Sequence, residues 1–318
     1  MDKMIFMFSG QGSQYYGMGK KLYHSDEYFR ETMDELDKIP NQLLNCSIID
    51  ICYNQSDYKD EFSRLLYTHP ALFMVQYSLA VSLIKHGIKP DCVIGTSLGE
   101  SVSFAVAGVI EPSKMLEMII KQALIVERTC EEGMMVAVLA SYDYYLKNIS
   151  DFKENYVISI NFEGNFVIAG LKKNMIETIK LLKGKNICFI VLPVKYAYHT
   201  KYIESVKKEL LVLQSQYHFS EPIIKIISSL RGDCDYKYDD KYLWKVISER
   251  MFFRNAINDL DHKKTYSFID LGPSGTLSNF IKYNKNAPEN NKLFSIMLPY
   301  GSEIDNYRNV LRELKRQV

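Results

Sequence analysis

The apolar run Cys92-Val93-Ile94-Gly95 breaks into Thr96-Ser97-Leu98-Gly99-Glu100, after which Val102, Ala105, Val106 and Val109 recur at helical spacing. A short strand, a Gly-flanked turn and a helix in that order are the unit of a crossover α/β sheet. Further units precede and follow it. Residues 4–8 read as a short buried strand, with Gly10-Gln11-Gly12-Ser13-Gln14 as the loop behind it. Leu72, Val75, Leu79 and Val81 predict a helix over 70–85, ending near Gly87. A last clear strand over 267–271 runs into Gly272-Pro273-Ser274-Gly275.

The middle of the chain has a different grammar. Strand-like runs at 135–139, 156–161, 166–170 and 188–194 alternate with helical segments at 142–149 and 175–183. That is β-α-β-β-α-β, the pattern of a ferredoxin-like unit. It predicts a small domain at 131–196 inserted into a large α/β domain made of 1–130 plus 197–318. With 318 residues at 47% hydrophobic composition, the chain has enough apolar material for two such cores.

Composition narrows the function classes. A net charge of +1, with 24% charged residues, gives no polyanion-binding surface, so nucleic acid is excluded as a partner. The first eight residues lack the basic start and small-residue cleavage site of a signal peptide. No run approaches the ~18 apolar residues of a membrane span. Cys46, Cys52, Cys92, Cys130, Cys188 and Cys234 form no CxxC and no metal-ligand spacing with histidine, so they read as reduced thiols of a cytoplasmic protein. No metal and no cofactor is expected.

Gly95-Thr96-Ser97-Leu98-Gly99 fits G-x-S-x-G, in which a sharp strand-to-helix turn exposes the serine Oγ. The pentapeptide also arises by chance, and its flanking strand and helix are what give it weight. Serine needs a base. Of His24, His69, His86, His199, His218 and His262, only His199 directly follows a hydrophobic strand, although a histidine there is often structural. His24, His86, His218 and His262 sit in polar surroundings and are expected to be exposed.

Phe8-Ser9-Gly10-Gln11-Gly12-Ser13-Gln14, Gly95-Thr96-Ser97-Leu98-Gly99-Glu100, Tyr198-His199-Thr200 and Asp270-Leu271-Gly272-Pro273 stand in the order and spacing of the malonyl-CoA:acyl carrier protein transacylase family, which the chain resembles over nearly its whole length. The resemblance implies an α/β-hydrolase-like large domain, a ferredoxin-like small one and an active site in the cleft between them. It implies Ser97 as nucleophile, His199 as general base, and the backbone N–H groups of Gln11 and Leu98 as oxyanion hole. The family's histidine leans on a backbone carbonyl, which falls near Val246 here. Acyl-binding candidates are Gln122, His69, Tyr198 and Asn161.

The departures from the family are informative. Its malonyl-selecting members carry, about 25 residues past the serine, an arginine whose guanidinium fork grips the malonyl carboxylate bidentately. That position holds Gln122 here, which carries no charge, though a plain surface glutamine is the alternative. Lys121 is one residue off and points about 100° away on a helix, and Arg128 is the other nearby cation. His69 stands where the family usually has glutamine before Pro70, and Thr96 replaces the usual histidine before the nucleophile. A non-malonyl branch with these features resembles the trans-acting acyl hydrolases of trans-acyltransferase polyketide synthases. The first expectation is therefore a monomeric proofreading hydrolase that acts on small acyl groups held transiently by acyl carrier protein. A malonyl or other acyl transacylase is the second, and a catalytically idle carrier-protein docking module the third. Lys195, Lys201 and Arg254 are candidates for a basic rim facing an acidic carrier.

Overall fold

A computed structural model describes residues 2–54, 62–232 and 241–315; Cys234 lies outside them. Among the described residues, nine strands form two sheets: β1 (Lys3–Phe8), β2 (Cys92–Gly95), β3 (Gly133–Val138), β4 (Asn155–Phe162), β5 (Asn165–Leu171), β6 (Phe189–Val191), β7 (Lys225–Ser228), β8 (Tyr266–Asp270) and β9 (Asn291–Ser295).

The larger sheet has the order β7-β2-β1-β8-β9, and all its pairings are parallel. Helices cover both faces, so β1 is apolar on both sides. Met4, Phe6 and Phe8 enter one core cluster, while Ile5 and Met7 enter another. The chain leaves β1 for β2 on one side and later returns as β8 on the other. In the register, Phe8 pairs with Gly95 and Met7 with Asp270. The carboxyl ends of the three central strands therefore open side by side, where α/β sheets place their ligands.

The second sheet is antiparallel with the order β4-β5-β3-β6, as the ferredoxin-like pattern requires. Alternation along β3 assigns its faces. Val136 and Val138 pack with Phe152, Phe166, Ile168, Met175 and Leu182 beneath the helix Lys172–Gly184. Met135 and Ala137 turn the other way, toward the large domain. β6 is shorter than the 188–194 expected. Pro193 has no N–H for a ladder, and Val194 bonds back to the Leu192 carbonyl at 2.7 Å.

Two other expectations shift. The helix expected to begin at Pro70 runs Leu65–Lys85, with Pro70 inside it. Its early start is supported by Glu127, whose Oε1 accepts from the otherwise unpaired Leu66 N–H at 3.0 Å. His86 is half-buried rather than exposed, because its Nε2 lies 2.8 Å from the buried Asp26 carboxylate.

Candidate active site

Ser97 ends the turn between β2 and the helix Leu98–Val106, with φ 53° and ψ −121°. A side chain in that region is strained by roughly 1–3 kcal/mol, and the surroundings must hold it there. The two flanking glycines permit this. A Cβ on Gly95 would lie 2.1 Å from the Gly99 carbonyl carbon, and one on Gly99 would lie 2.0 Å from the Phe8 oxygen. The turn is pressed against β1 so closely that only hydrogen fits.

His199 arrives from the other side of the cavity, also at positive φ (63°). Its Nε2 is 2.9 Å from Ser97 Oγ, and its Nδ1 is 2.9 Å from the Glu249 backbone oxygen. A carbonyl only accepts, so Nδ1 carries the proton and Nε2 is free to accept from Ser97. Burial pushes the imidazole pKa down to about 4, partly opposed by the hydrogen bond to Glu249. It therefore stands neutral, with Nε2 able to accept a proton.

The carbonyl that holds His199 is not Val246. Val246 lies inside the helix Tyr242–Ser248, where its carbonyl follows the helix axis. Glu249 caps that helix with extended backbone (φ −98°, ψ 159°), which turns its carbonyl sideways. The Ile247 oxygen also accepts from the His199 N–H at 2.8 Å, so the histidine is tied twice to one helix end.

The loop after β1 lies directly against the serine. A Cβ on Gly10 would fall 2.9 Å from that of Ser97. Ser9 is anchored by Gln76, which accepts from its N–H at 2.7 Å and donates to its carbonyl at 3.1 Å. Ser274 Oγ donates to the Ser13 carbonyl at 2.8 Å, and Asp270 holds the Ser274 loop by accepting from Gly272 N and Ser278 N. The Gln11 and Leu98 backbone N–H groups have no hydrogen-bond partner among the described residues. His69 Nε2 lies 3.2 Å from Gln11 Oε1, and the Gln11 amide donates to Thr68 Oγ1 at 3.3 Å.

These elements enclose a cavity of about 250 Å³ between the two sheets. Ser97, His199, Gln11, Leu98, Gln122, His69, Tyr198 and Asn161 all line it, so eight of the nine expected site residues meet there. Gln122 is 8% exposed and makes no side-chain hydrogen bond to any described residue. His69 is buried, its pKa pushed down to about 3, and its ring lies 5.8 Å from that of Tyr198. Two shifts of register in β4 bring Ile158, Ser159 and Asn161 to the same wall. Thr96 is buried in the lining.

Among the described residues, no lysine, arginine, aspartate or glutamate lines the cavity. Lys121 turns away to Glu117, 2.7 Å distant, and Arg128 pairs with Glu209 on the surface at 2.6 Å. Of the expected basic rim, Lys195 is exposed, Lys201 is bound to Glu154 at 3.1 Å, and Arg254 is half-buried. None of the three lines the cavity. Sequence reasoning missed Asn165 and Ser101. Asn165 follows Asn161 across the hairpin turn at Gly164, and Ser101 lies one helical turn after Ser97, so both were accessible from spacing.

A strained serine at the mouth of a parallel sheet, hydrogen-bonded to a neutral histidine in a partly open cavity, is an arrangement suited to acyl transfer through a serine ester. Residues 5–293 match the acyl transferase domain family, and the chain belongs to it as an enzyme acting on acyl thioesters. It is 38% identical over 310 residues to the polyketide biosynthesis acyltransferase homolog PksD of Bacillus subtilis, covering 97% of this chain and 96% of that one. Identity to the homolog BaeD of Bacillus velezensis is 35% over 301 residues, covering 94% and 93%. The loading acyltransferase from the avermectin modular polyketide synthase shares the fold, with a TM-score of 0.89 at 21% identity over 98% of this chain and 99% of that one. Among the described residues, no helix is long and apolar enough to cross a membrane.

Proposed function

We propose that this enzyme hydrolyses uncharged acyl groups from the phosphopantetheine thioester of acyl carrier protein, and that it serves polyketide biosynthesis as its relatives' names describe. The observation that carries the reading is the cavity around Ser97, which Gln122 lines and no cation of the described residues does. A malonyl carboxylate would lose water there without gaining a partner.

The chemistry follows from the dyad. Neutral His199 takes the Ser97 proton at Nε2 while Oγ attacks the thioester carbonyl. The Gln11 and Leu98 N–H groups hold the oxyanion. The tetrahedral intermediate collapses, the C–S bond breaks, and the pantetheine sulfur leaves with the proton from His199. Water then attacks the acyl-serine ester and gives its proton to the same nitrogen. The free acid departs and Ser97 is restored. The Glu249 carbonyl keeps the Nδ1–H tautomer throughout and steadies the imidazolium that forms in each half-reaction. The uncharged hydrogen-bonding groups of the lining suit water as the second acceptor.

The test is an assay with acetyl-, butyryl- and malonyl-loaded carrier protein, followed by mass spectrometry. Free acetate and butyrate, with malonyl left in place, are expected. Acyl groups moved intact to a second carrier or to CoA would replace hydrolysis by transfer, and no acyl-Ser97 at all would leave a docking module.

A further inference from the structure

Among the described residues the cavity lining is uncharged without being apolar, and it draws free hydrogen-bonding groups from both the large-domain helix Pro112–Thr129 and the small sheet. Gln122 projects from the helix Pro112–Thr129 of the large domain. Its amide has no partner among the described residues, neither amide atom is sealed off from solvent, and the residue lines the cavity. On the small-sheet side of the cavity, Ser159 Oγ donates to Asn161 Oδ1, and Asn161 Nδ2 donates to Asn165 Oδ1 at 2.6 Å. That chain fixes the orientation of the Asn165 amide and leaves its Nδ2–H groups without an acceptor among the described residues. Asn165 is 6% exposed and lines the same cavity. The walls between are apolar, built from Met135, Val167, Leu192 and Met251.

An alkyl chain entering this space strips the two amides of solvent and returns nothing, whereas a hydroxyl can accept from Asn165 Nδ2 or donate to Gln122 Oε1. A keto oxygen can accept from either amide. Building on the uncharged-acyl reading above, we propose that the site selects acyl chains bearing an uncharged oxygen function, hydroxyl or keto, over plain alkanoyl chains. Gln122 and Asn165 are the specificity-determining residues.

The experiment loads carrier protein with butyryl, 2-, 3- and 4-hydroxybutyryl and 3-oxobutyryl groups and measures kcat/KM for each. At least one oxygenated chain should exceed butyryl by tenfold or more. In Gln122→Met, and separately in Asn165→Leu, that ratio should fall toward one as butyryl turnover rises; having two variants guards against one that misfolds. Butyryl released as fast as every oxygenated chain, or a preference that survives both substitutions, overturns the proposal. Failure of the hydrolysis reading looks different. If acyl groups are transferred instead of released, the same preference still registers in the acyl-Ser97 adduct read by intact mass.

Discussion

Ser97 Oγ and His199 Nε2 stand 2.9 Å apart across 102 residues of sequence, and both residues hold positive φ. Neither conformation is favourable for the residue concerned. Each is imposed from outside, on Ser97 by the contact of Gly99 with β1 and on His199 by two carbonyls at the end of the helix Tyr242–Ser248. The dyad is thus prepared before substrate arrives.

Ser97→Ala should abolish acyl loading, and His199→Ala should slow it ~10²–10⁴-fold, both with circular dichroism unchanged. The acid limb of kcat/KM should report the imidazole. Burial holds its pKa down at about 4, and the neutral form is the base, so activity should stay level from pH 8 to about pH 5 and fall as pH drops through about 4. A fall centred near the ordinary histidine value of 6.5 would mean that the ring is solvated in the working enzyme.

Gly95→Ala tests the closeness of the turn. The added methyl would meet the Gly99 and Glu100 backbone at 2.1–2.3 Å, and backbone there cannot yield without moving Ser97. A loss of roughly 3 kcal/mol or more, or failure to fold, is expected from thermal unfolding. A melting temperature within a few degrees of wild type would show that the turn is looser than described.

The small sheet, β1, β2, β8 and the turn that carries Ser97 were legible in the sequence because each rests on residue type and period, whereas β7 and β9 were not, and His199 was singled out by the family resemblance. β1 is apolar on every inward position, and the glycines of G-x-S-x-G are required by contact. The carbonyl behind His199 was not legible. Any residue can offer a backbone oxygen, so Val246 and Glu249 differ only in where the helix stops, and that boundary has no glycine or proline to mark it. The helix start at Leu65 was hidden for a related reason, since the group supporting its first turn, Glu127, lies 61 residues away. Asn165 was overlooked because an asparagine beside a hairpin glycine reads as turn chemistry.

Glu100 links the helix Leu98–Val106, which follows Ser97, to the stability of the fold. It is fully buried, its Oε1 accepts from Ser229 N and Oγ, and burial raises its pKa from 4.5 to about 7. Between those values the folded chain keeps a proton that the unfolded chain has lost. The stability due to this group is therefore present below about pH 4.5 and declines as pH rises through about 7. Buried Asp270, also raised to about 7, adds to the decline, while His69 and His199, shifted down, oppose it. Glu100→Gln removes one contribution cleanly. Relative to wild type it should gain on the order of 1–3 kcal/mol at pH 8 and little at pH 4.5, by denaturant unfolding. An equal difference at both values would mean that the carboxyl does not titrate in this range.

Gln122→Arg bears most directly on which acyl groups the enzyme accepts. Among the described residues, a carboxylate in the wild-type cavity finds only uncharged donors, and the nearby cations are committed elsewhere: Lys121 to Glu117 and Arg128 to Glu209. A guanidinium at position 122 would supply the missing charge in a form that grips a carboxylate through two parallel hydrogen bonds. The ratio of kcat/KM for malonyl over butyryl should rise by ~1–3 kcal/mol, on the order of ten- to a hundredfold. Butyryl itself should suffer, since the chain then buries the guanidinium with no counter-charge. The free variant should also be less stable than wild type by a similar amount, for the same reason. Competition between malonyl- and butyryl-loaded carrier protein, read by mass spectrometry at early times, gives the ratio directly. An unchanged ratio would place the side chain at 122 outside the acyl path. Wild-type enzyme that already loads malonyl onto Ser97 faster than butyryl would reverse the substrate class proposed above.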